Sequence, residues 1–530
     1  MSRYFSNDDS NVFVIQDLPE AVKGALFSKY SRRQGGIREI LEEDFLIDGK
    51  VPDVTKAEEF YSRILDGFGD DSIGELGGAH LALENVSILA TKILEDPRIG
   101  GSFLEKSTRY VSFSDKIKLR DGQEKFKYIR PAELATFSEY LNTYESSCNN
   151  LFQTYCDLYQ PVYDWILSTQ EDPGDDKGRS VQKRAIRSRT LDTLRGLLPA
   201  STATNMGIYG NGRFFQSLII RLRTTTLAEM HRLAEQIENE LDKVIPSFIS
   251  RAKRDHEHFQ GFMDAARGID RTLEGMVDFN VSRSLFPTQD LFEDKDLILA
   301  NADIQDGEAR VLAGLLYPMS THHYHTLFDW AKILSPVNRF IFFQQLAEHR
   351  SDKRHKLPRG LELTTYTFDV CADFGIYRDL HRHRMQTQMR QPLSPDYGYD
   401  TPDDILAIGG DVQKLFDQSM QVAAEAYRIL AVEFPEQAQY CIPLAYRIRW
   451  LMHINLRALT WLIELRTGPA GHPKYRRIAQ QMFELVKNIH PGLAEMIKFV
   501  NMEGYELGRL ESEKKIEKKK IEKKKIREVK

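Results

Sequence analysis

Arg382-His383-Arg384 places two guanidinium forks and an imidazole in three consecutive positions. Guanidinium groups bind phosphate oxygens through planar, paired donors, so the triplet suits a diphosphate. If the segment is extended, both arginines point to one side and the histidine to the other. A second polar set lies in the N-terminal half, where Glu105, Ser107 and Arg109 alternate and are followed by Tyr110. On an extended chain these three aim at one face, where a carboxylate, a hydroxyl and a guanidinium can read a small ligand and one phosphate. A third set runs from Asn455 through Arg457 to Arg466, about three helical turns, so that Asn455 and Arg466 share a helix face. Leu451, Ile454, Leu462 and Leu465 then pack inward. Histidines offer another chemistry, because ten of the 14 follow residue 320 and His381-x-His383 on a strand would present two rings to one metal. No acidic residue adjoins either histidine, which argues against a metal pair.

Apolar residues recur at helical spacing over 132–170, 180–197, 213–260, 325–350, 411–433 and 447–466. The best strand candidates are 106–113 and 365–370, and the mixed, Asp-rich stretch 261–305 with Pro287 reads as the inter-domain connection. The pattern gives an α+β fold of helix-rich halves, each with a small mixed sheet, followed by a charged C-terminal tail.

The bulk properties fit that class. A chain of 530 residues, 42% hydrophobic and 28% charged, supports two or three ordinary globular domains. A net charge of -5 gives no reason to expect a nucleic acid partner. No long apolar run marks a membrane span, and Met1-Ser2-Arg3-Tyr4 lacks the apolar core of a signal peptide. Cys148, Cys156, Cys371 and Cys441 form no close pair, which suits a reduced cytoplasm. The Lys/Glu-rich stretch 511–530 carries Ile516, Ile521 and Ile526 at a five-residue period that makes no apolar stripe, so it reads as a solvated, fraying helix or tail.

The chain repeats itself weakly. ALFSKYS at 25–31 answers GLLYPMS at 314–320, Arg98 answers Arg384, and Leu197-Leu198-Pro199 answers Cys441-Ile442-Pro443. Leu222-Arg223 answers Leu465-Arg466, and the order is kept throughout. The offset shrinks along the chain, so the first copy holds a longer connection, placed at 115–190. The resulting division is a first domain at 1–265, a connecting segment at 266–308, a second domain at 309–510 and the tail at 511–530.

Each copy keeps part of one motif. Joined, Arg382-His383-Arg384 and Glu105-x-Ser107-x-Arg109-Tyr110 resemble the signature of the flavin-dependent thymidylate synthases, the ThyX family. Ser72 and Glu75 are similar to that family's S/T-x-x-E element, and Arg195 to the arginine of its A-R-x-x-L-P segment, where the second copy has Gln439. The stretch from Asn455 to Arg466 resembles its W-x-x-N-x-R-S-L-x-x-F-L-x-L-R helix.

The resemblance implies two tandem ThyX-like domains and a reductive methylation of dUMP to dTMP. FAD would be the cofactor, with NADPH and methylenetetrahydrofolate as co-substrates. It implies that Arg466 is the catalytic arginine, lying along the uracil ring to stabilise charge after N3 ionises. Arg382, His383, Arg384, Asn455, Arg457, Ser72, Glu75 and His472 would bind cofactor, and Glu105, Ser107, Arg109 and Arg195 would bind substrate. Family sites are shared between subunits of a tetramer, so a homodimer of this chain would mimic that tetramer, with composite sites drawn from both halves. Asn211 and Arg223 in the first copy stand one residue further apart than Asn455 and Arg466, which puts a complete site around Arg223 in doubt. Two alternatives remain at this point: a catalytically impaired nucleotide- or flavin-binding paralogue, and a metal-dependent phosphohydrolase built on the histidines.

Overall fold

The elements that position the candidate site follow from a computed structural model, which describes residues 3–47, 51–68, 71–118, 122, 124–282 and 295–529. In chain order they are strand β1 (Gly78–Ser87), helix α1 (Ile88–Glu95), strand β2 (Gly101–Glu105), helix α2 (Asp176–Leu194), strand β3 (Ala203–Asn211) and helix α3 (Gly212–Thr224). Strands β4 (Leu297–Ala302) and β5 (Thr365–Asp373), helix α4 (Phe374–His381), and strands β6 (Gln386–Arg390) and β7 (Arg447–Asn455) come next. Helices α5 (Leu456–Arg466), α6 (Pro473–Ile489) and α7 (Leu510–Val529) close the chain. The fold is α+β.

Contacts divide the chain into two compact units that interleave in sequence. The first comprises Met1–Lys106, Tyr128–Ser138 and Ser201–Gln289; the second comprises Ser107–Lys127, Glu139–Ala200 and Asp290–Lys530.

In the first unit the strand order is β1-β3-β2, with both pairings antiparallel. Helix α1 carries the chain from β1 to β2 and leaves room for β3 to insert between them, a split β-α-β arrangement. Ser87 caps α1 by accepting from the Ala90 amide at 2.8 Å, and Asn211 caps α3 by accepting from Phe214 at 2.9 Å. The second unit repeats the scheme. Its order is β6-β7-β5-β4, again antiparallel at every step, with β4 added at the edge. Asp373 caps α4 where Ser87 caps α1, and Asn455 caps α5 where Asn211 caps α3. Two segments matched in sequence also pair within this unit. Pro199 and Pro443 form an antiparallel bridge, flanked by Ala200 donating to Ile442 at 2.8 Å and Leu444 donating to Leu198 at 2.9 Å.

Several sequence expectations need correction. The sheets are antiparallel among the described residues rather than mixed, because the inserted strand always runs against its neighbours. Residues 106–113 are not a strand. The ladder ends at Glu105, and beyond it the Arg109 amide donates to Ser107 Oγ at 3.2 Å, a local bond that turns the chain. The expected helix 447–466 is strand β7 followed by α5. Ile448, Trp450, Met452 and Ile454 are buried with period two, and β7 is hydrogen-bonded on both sides. Leu451 is therefore a strand residue, and Leu465 is exposed.

The long helical stretches break at local signals, as at Ser335-Pro336, where one helix ends at Ile333 and the next begins at Pro336. In the stretch read as a connection, a helix occupies Phe259–Ser282 and β4 begins at Leu297; Pro287 lies outside the described residues. The tail is helix α7, and Glu513 and Glu517 each bind Arg184 at 3.0 Å. Among the described residues, no helix is long and apolar enough to cross a membrane.

Candidate active site

Helix α4 is buried along its whole length, so its polar residues must find partners inside the second unit. Asp379 accepts from Arg195 Nη1 at 3.1 Å. Arg195 follows α2 directly, and Asp192, one turn earlier, lies 3.6 Å from Arg195 Nε. Gly375 allows this approach, since a Cβ there would sit 3.2 Å from Arg195 Nε. Asp192 also receives a two-point fork from Arg109, Nε to Oδ1 at 2.8 Å and Nη2 to Oδ2 at 2.6 Å. The result is an alternating chain of charge: Arg109, Asp192, Arg195, Asp379.

A second cluster adjoins it through Tyr475 on α6. Arg109 Nη1 reaches the Tyr475 hydroxyl at 3.4 Å, and the Arg109 and Arg466 guanidiniums lie 5.8 Å and 5.5 Å from the Tyr475 ring centre. Arg466, the last residue of α5, donates from Nε to His383 Nε2 at 2.8 Å. Arg109, Asp192, Arg195, Asp373, His472 and Lys474 contribute to the wall of one cleft of about 450 Å³.

Electrostatics set the protonation states. Burial alone would raise Asp379, but Arg195, Arg109, Arg466 and Arg382 hold it well below the usual carboxylate range. Burial also opposes ionisation of Asp192, yet Arg109, His472 and Arg195 keep it at about 2. Asp373 differs: burial lifts it to about 6, with only partial relief from Arg195 and Lys474. Burial and the Arg466 charge push His383 well below its ordinary value. His472 falls to about 3, chiefly through burial and against the pull of Asp192. One donor is left over. Arg195 Nη2 is buried and has no hydrogen-bond partner among the described residues.

The residues singled out in the sequence separate into groups. Arg109, Arg195 and His472 line the cleft, although the first two come from the N-terminal half of the chain. Arg466 and His383 stand together beside Tyr475. Arg382 and Arg384 are exposed where α4 gives way to the turn before β6, so the triplet is not on a strand. His381 ends α4, with its ring stacked 5.1 Å from Tyr377, and so does not pair with His383 as two strand residues would. Ser107 shapes the turn that carries Arg109.

Asn455 is committed to capping α5, while Arg457 binds Glu362 at 2.6 Å and the Leu357 carbonyl at 2.8 Å. Glu105, Glu75 and Ser72 belong to the first unit. Glu105 is buried against Lys92 at 3.0 Å, and Glu75 pairs with Arg213 at 2.9 Å. Ser72 lies on the short turn Asp71–Glu75, with its side chain outside the described set. The expected extended run through Glu105, Ser107 and Arg109 does not form, because the strand stops at Glu105. Arg223 is buried and bound to Glu238 at 2.6 Å.

Sequence reasoning missed Asp192, Asp379 and Tyr475. A signal existed for the carboxylates: each stands three residues before an arginine of interest, Asp192 before Arg195 and Asp379 before Arg382. Among the described residues, no group of three or more His, Cys, Asp or Glu is arranged to hold a metal ion.

Comparison with known proteins agrees on a family. The model for "thymidylate synthase complementing protein" matches residues 24–247 and 338–492. A UPF0159 protein of Chlamydia muridarum is 43% identical over 526 residues, covering 97% of this chain and 96% of that protein. A UPF0159 protein of Thermoplasma acidophilum is 33% identical over 514 residues, covering 93% of this chain and 97% of that one. Among solved structures, a UMP/dUMP methylase, PolB from Streptomyces cacaoi, aligns with 18% identity and a TM-score of 0.29, covering 38% of this chain and 93% of that one.

Proposed function

This chain belongs to the thymidylate synthase complementing protein family, and on that footing we propose that it methylates dUMP to dTMP. The reading uses methylenetetrahydrofolate as one-carbon donor, NADPH as reductant and FAD as cofactor. The observation that carries the substrate assignment is the buried Arg195 Nη2, unpartnered among the described residues, beside a cleft also lined by Arg109. An unsatisfied buried donor costs roughly 1–3 kcal/mol, and an anionic ligand oxygen would remove that cost.

Each residue has a definite task in this reading. Arg109 and Arg195 bind the nucleotide, oriented by Asp192 and Asp379. Arg466 supports the negative charge that develops on the pyrimidine, and a neutral His383 fixes its direction without cancelling its charge. Arg382 and Arg384, two exposed guanidiniums close in sequence on one turn, have the donor chemistry for the FAD diphosphate. FAD, when bound, would supply the hydride that completes the methyl group. Asn455 and Arg457 hold α5 and its neighbouring turn in place and act on cofactor only through that scaffold.

The recurring strand–helix–strand scheme and its matched caps support a tandem duplication, with the tandem boundaries falling near 1–265 and 309–510. A homodimer would then stand where the family uses a tetramer, in the cytoplasm, where NADPH and folates are supplied. The test is the purified protein loaded with FAD: absorbance near 450 nm that survives desalting, and NADPH oxidation that depends on dUMP. Flavin retention without dUMP-dependent oxidation would favour the impaired paralogue instead.

A further inference from the structure

The family match ends at residue 492, yet the cleft wall continues beyond it. Residues 502–509 line the cleft without a break. They are pinned at three points. Arg476 Nη2 donates to Asn501 Oδ1 at 3.1 Å and to the Glu503 carbonyl at 2.7 Å. Arg189 Nη1 donates to the Glu506 carbonyl at 2.8 Å, and Arg509 Nη1 donates to Ser188 Oγ at 2.7 Å. Gly508 seats the segment: a Cβ there would fall 1.9 Å from the Pro469 carbonyl oxygen, which no side chain tolerates. The Arg509 guanidinium lies 3.9 Å from the centre of the Tyr110 ring, so its direction is fixed before any ligand arrives.

The charges of the cleft are nearly all matched. Arg109 pairs with Asp192, Arg189 with Asp404, Lys474 with Asp400 and Arg477 with Asp403. Arg476 and Arg509 differ, because among the described residues their bonds go to uncharged acceptors and neither forms an ion pair. Burial lowers the pKa of both; at Arg509 the Arg109 charge adds to this, against a pull from Asp192.

We propose that residues 502–509 form a strap across this cleft and that Arg509, together with Arg476, binds the phosphate of a phosphate monoester. Identifying that ligand as dUMP rests on the functional reading above; the anion site rests on the two uncompensated guanidiniums. Helix α7 follows Arg509 directly and is held to α2 through Arg184.

Calorimetric titration of the full chain separates the two ideas, with inorganic phosphate, dUMP and deoxyuridine as probes. Arg509→Ala is expected to weaken phosphate and dUMP at least about tenfold, the scale of one charge-assisted hydrogen bond, and to leave deoxyuridine unchanged. Arg509→Lys should recover part of the loss. Gly508→Ala, which lifts the strap from Pro469, should resemble Arg509→Ala, and thermal unfolding of each variant checks that it is folded. Phosphate binding that is absent in the wild type, or equal in the wild type and Arg509→Ala, overturns the anion site. Phosphate binding that depends on Arg509 while dUMP fails to bind overturns the dUMP reading alone.

Discussion

Arg466 donates through Nε to Nε2 of His383 at 2.8 Å. An imidazolium has no acceptor, so this contact requires a neutral ring with its proton on Nδ1. Burial and the adjacent guanidinium both keep it neutral. Nitrogen-15 NMR of labelled histidine should therefore show one resonance pair with the Nδ1–H pattern, constant from about pH 5.5 to 8. A titration of that ring within the range would contradict the assigned geometry.

Asp379 is the anion that several guanidiniums share, with Arg195 at 3.1 Å and Arg109, Arg466 and Arg382 all acting on it. Replacing it by asparagine leaves buried positive charge without its partner, a change that costs about 3–5 kcal/mol in comparable buried pairs. Urea unfolding of Asp379→Asn at pH 7.5 should show that loss. A difference below about 1 kcal/mol would mean that the charge chain is not an energetic unit.

Two cleft carboxylates give opposite pH signatures. Asp192 is depressed from 3.8 to about 2, so its contribution is complete above 3.8 and disappears as pH falls through 2. Asp373 is raised from 3.8 to about 6, so the folded state holds its proton more tightly than the unfolded chain. Its effect on stability worsens as pH rises from about 4 to 6 and is constant above that. Asparagine caps a helix about as well as aspartate, so Asp373→Asn should be more stable than wild type at pH 8 by roughly 3 kcal/mol, the shift from 3.8 to about 6. The two proteins should converge near pH 4. Equal stability at pH 8 would show that folding does not raise the Asp373 pKa.

Arg195 separates binding from fold. Lysine keeps a positive charge near Asp379 but lacks the second terminal nitrogen, the one without a partner among the described residues. Arg195→Lys should therefore raise KM for dUMP at least about tenfold, with a smaller effect on kcat. An unchanged KM would remove Arg195 Nη2 from the substrate contacts.

Local chemistry was legible in the sequence where it depended on neighbours along the chain. The helix that ends in Arg466 and the strand over 365–370 follow from periodicity alone. The matched tripeptides 197–199 and 441–443 pointed to a repeat, and they meet at the Pro199–Pro443 bridge. Periodicity failed at 447–455, because a strand bonded on both sides is apolar enough to imitate a buried helix. It failed at 106–113 because Ser107 closes a turn through its hydroxyl, a competition that alternation of polar residues does not reveal. The meeting of Asp192 and Tyr475 at one arginine was illegible for a different reason. Their importance comes from Arg109, which is remote in sequence and reaches both.

The most direct test of the central claim follows the hydrogen that methylation must displace from C5 of the pyrimidine. With [5-³H]dUMP, methylenetetrahydrofolate, NADPH and FAD, the wild-type chain should release tritium to water in step with dTMP formation. Arg466→Ala should slow that release by at least about a hundredfold, the scale of losing one charge-stabilising donor. No tritium release from a folded wild-type protein that retains FAD and binds dUMP would contradict the account.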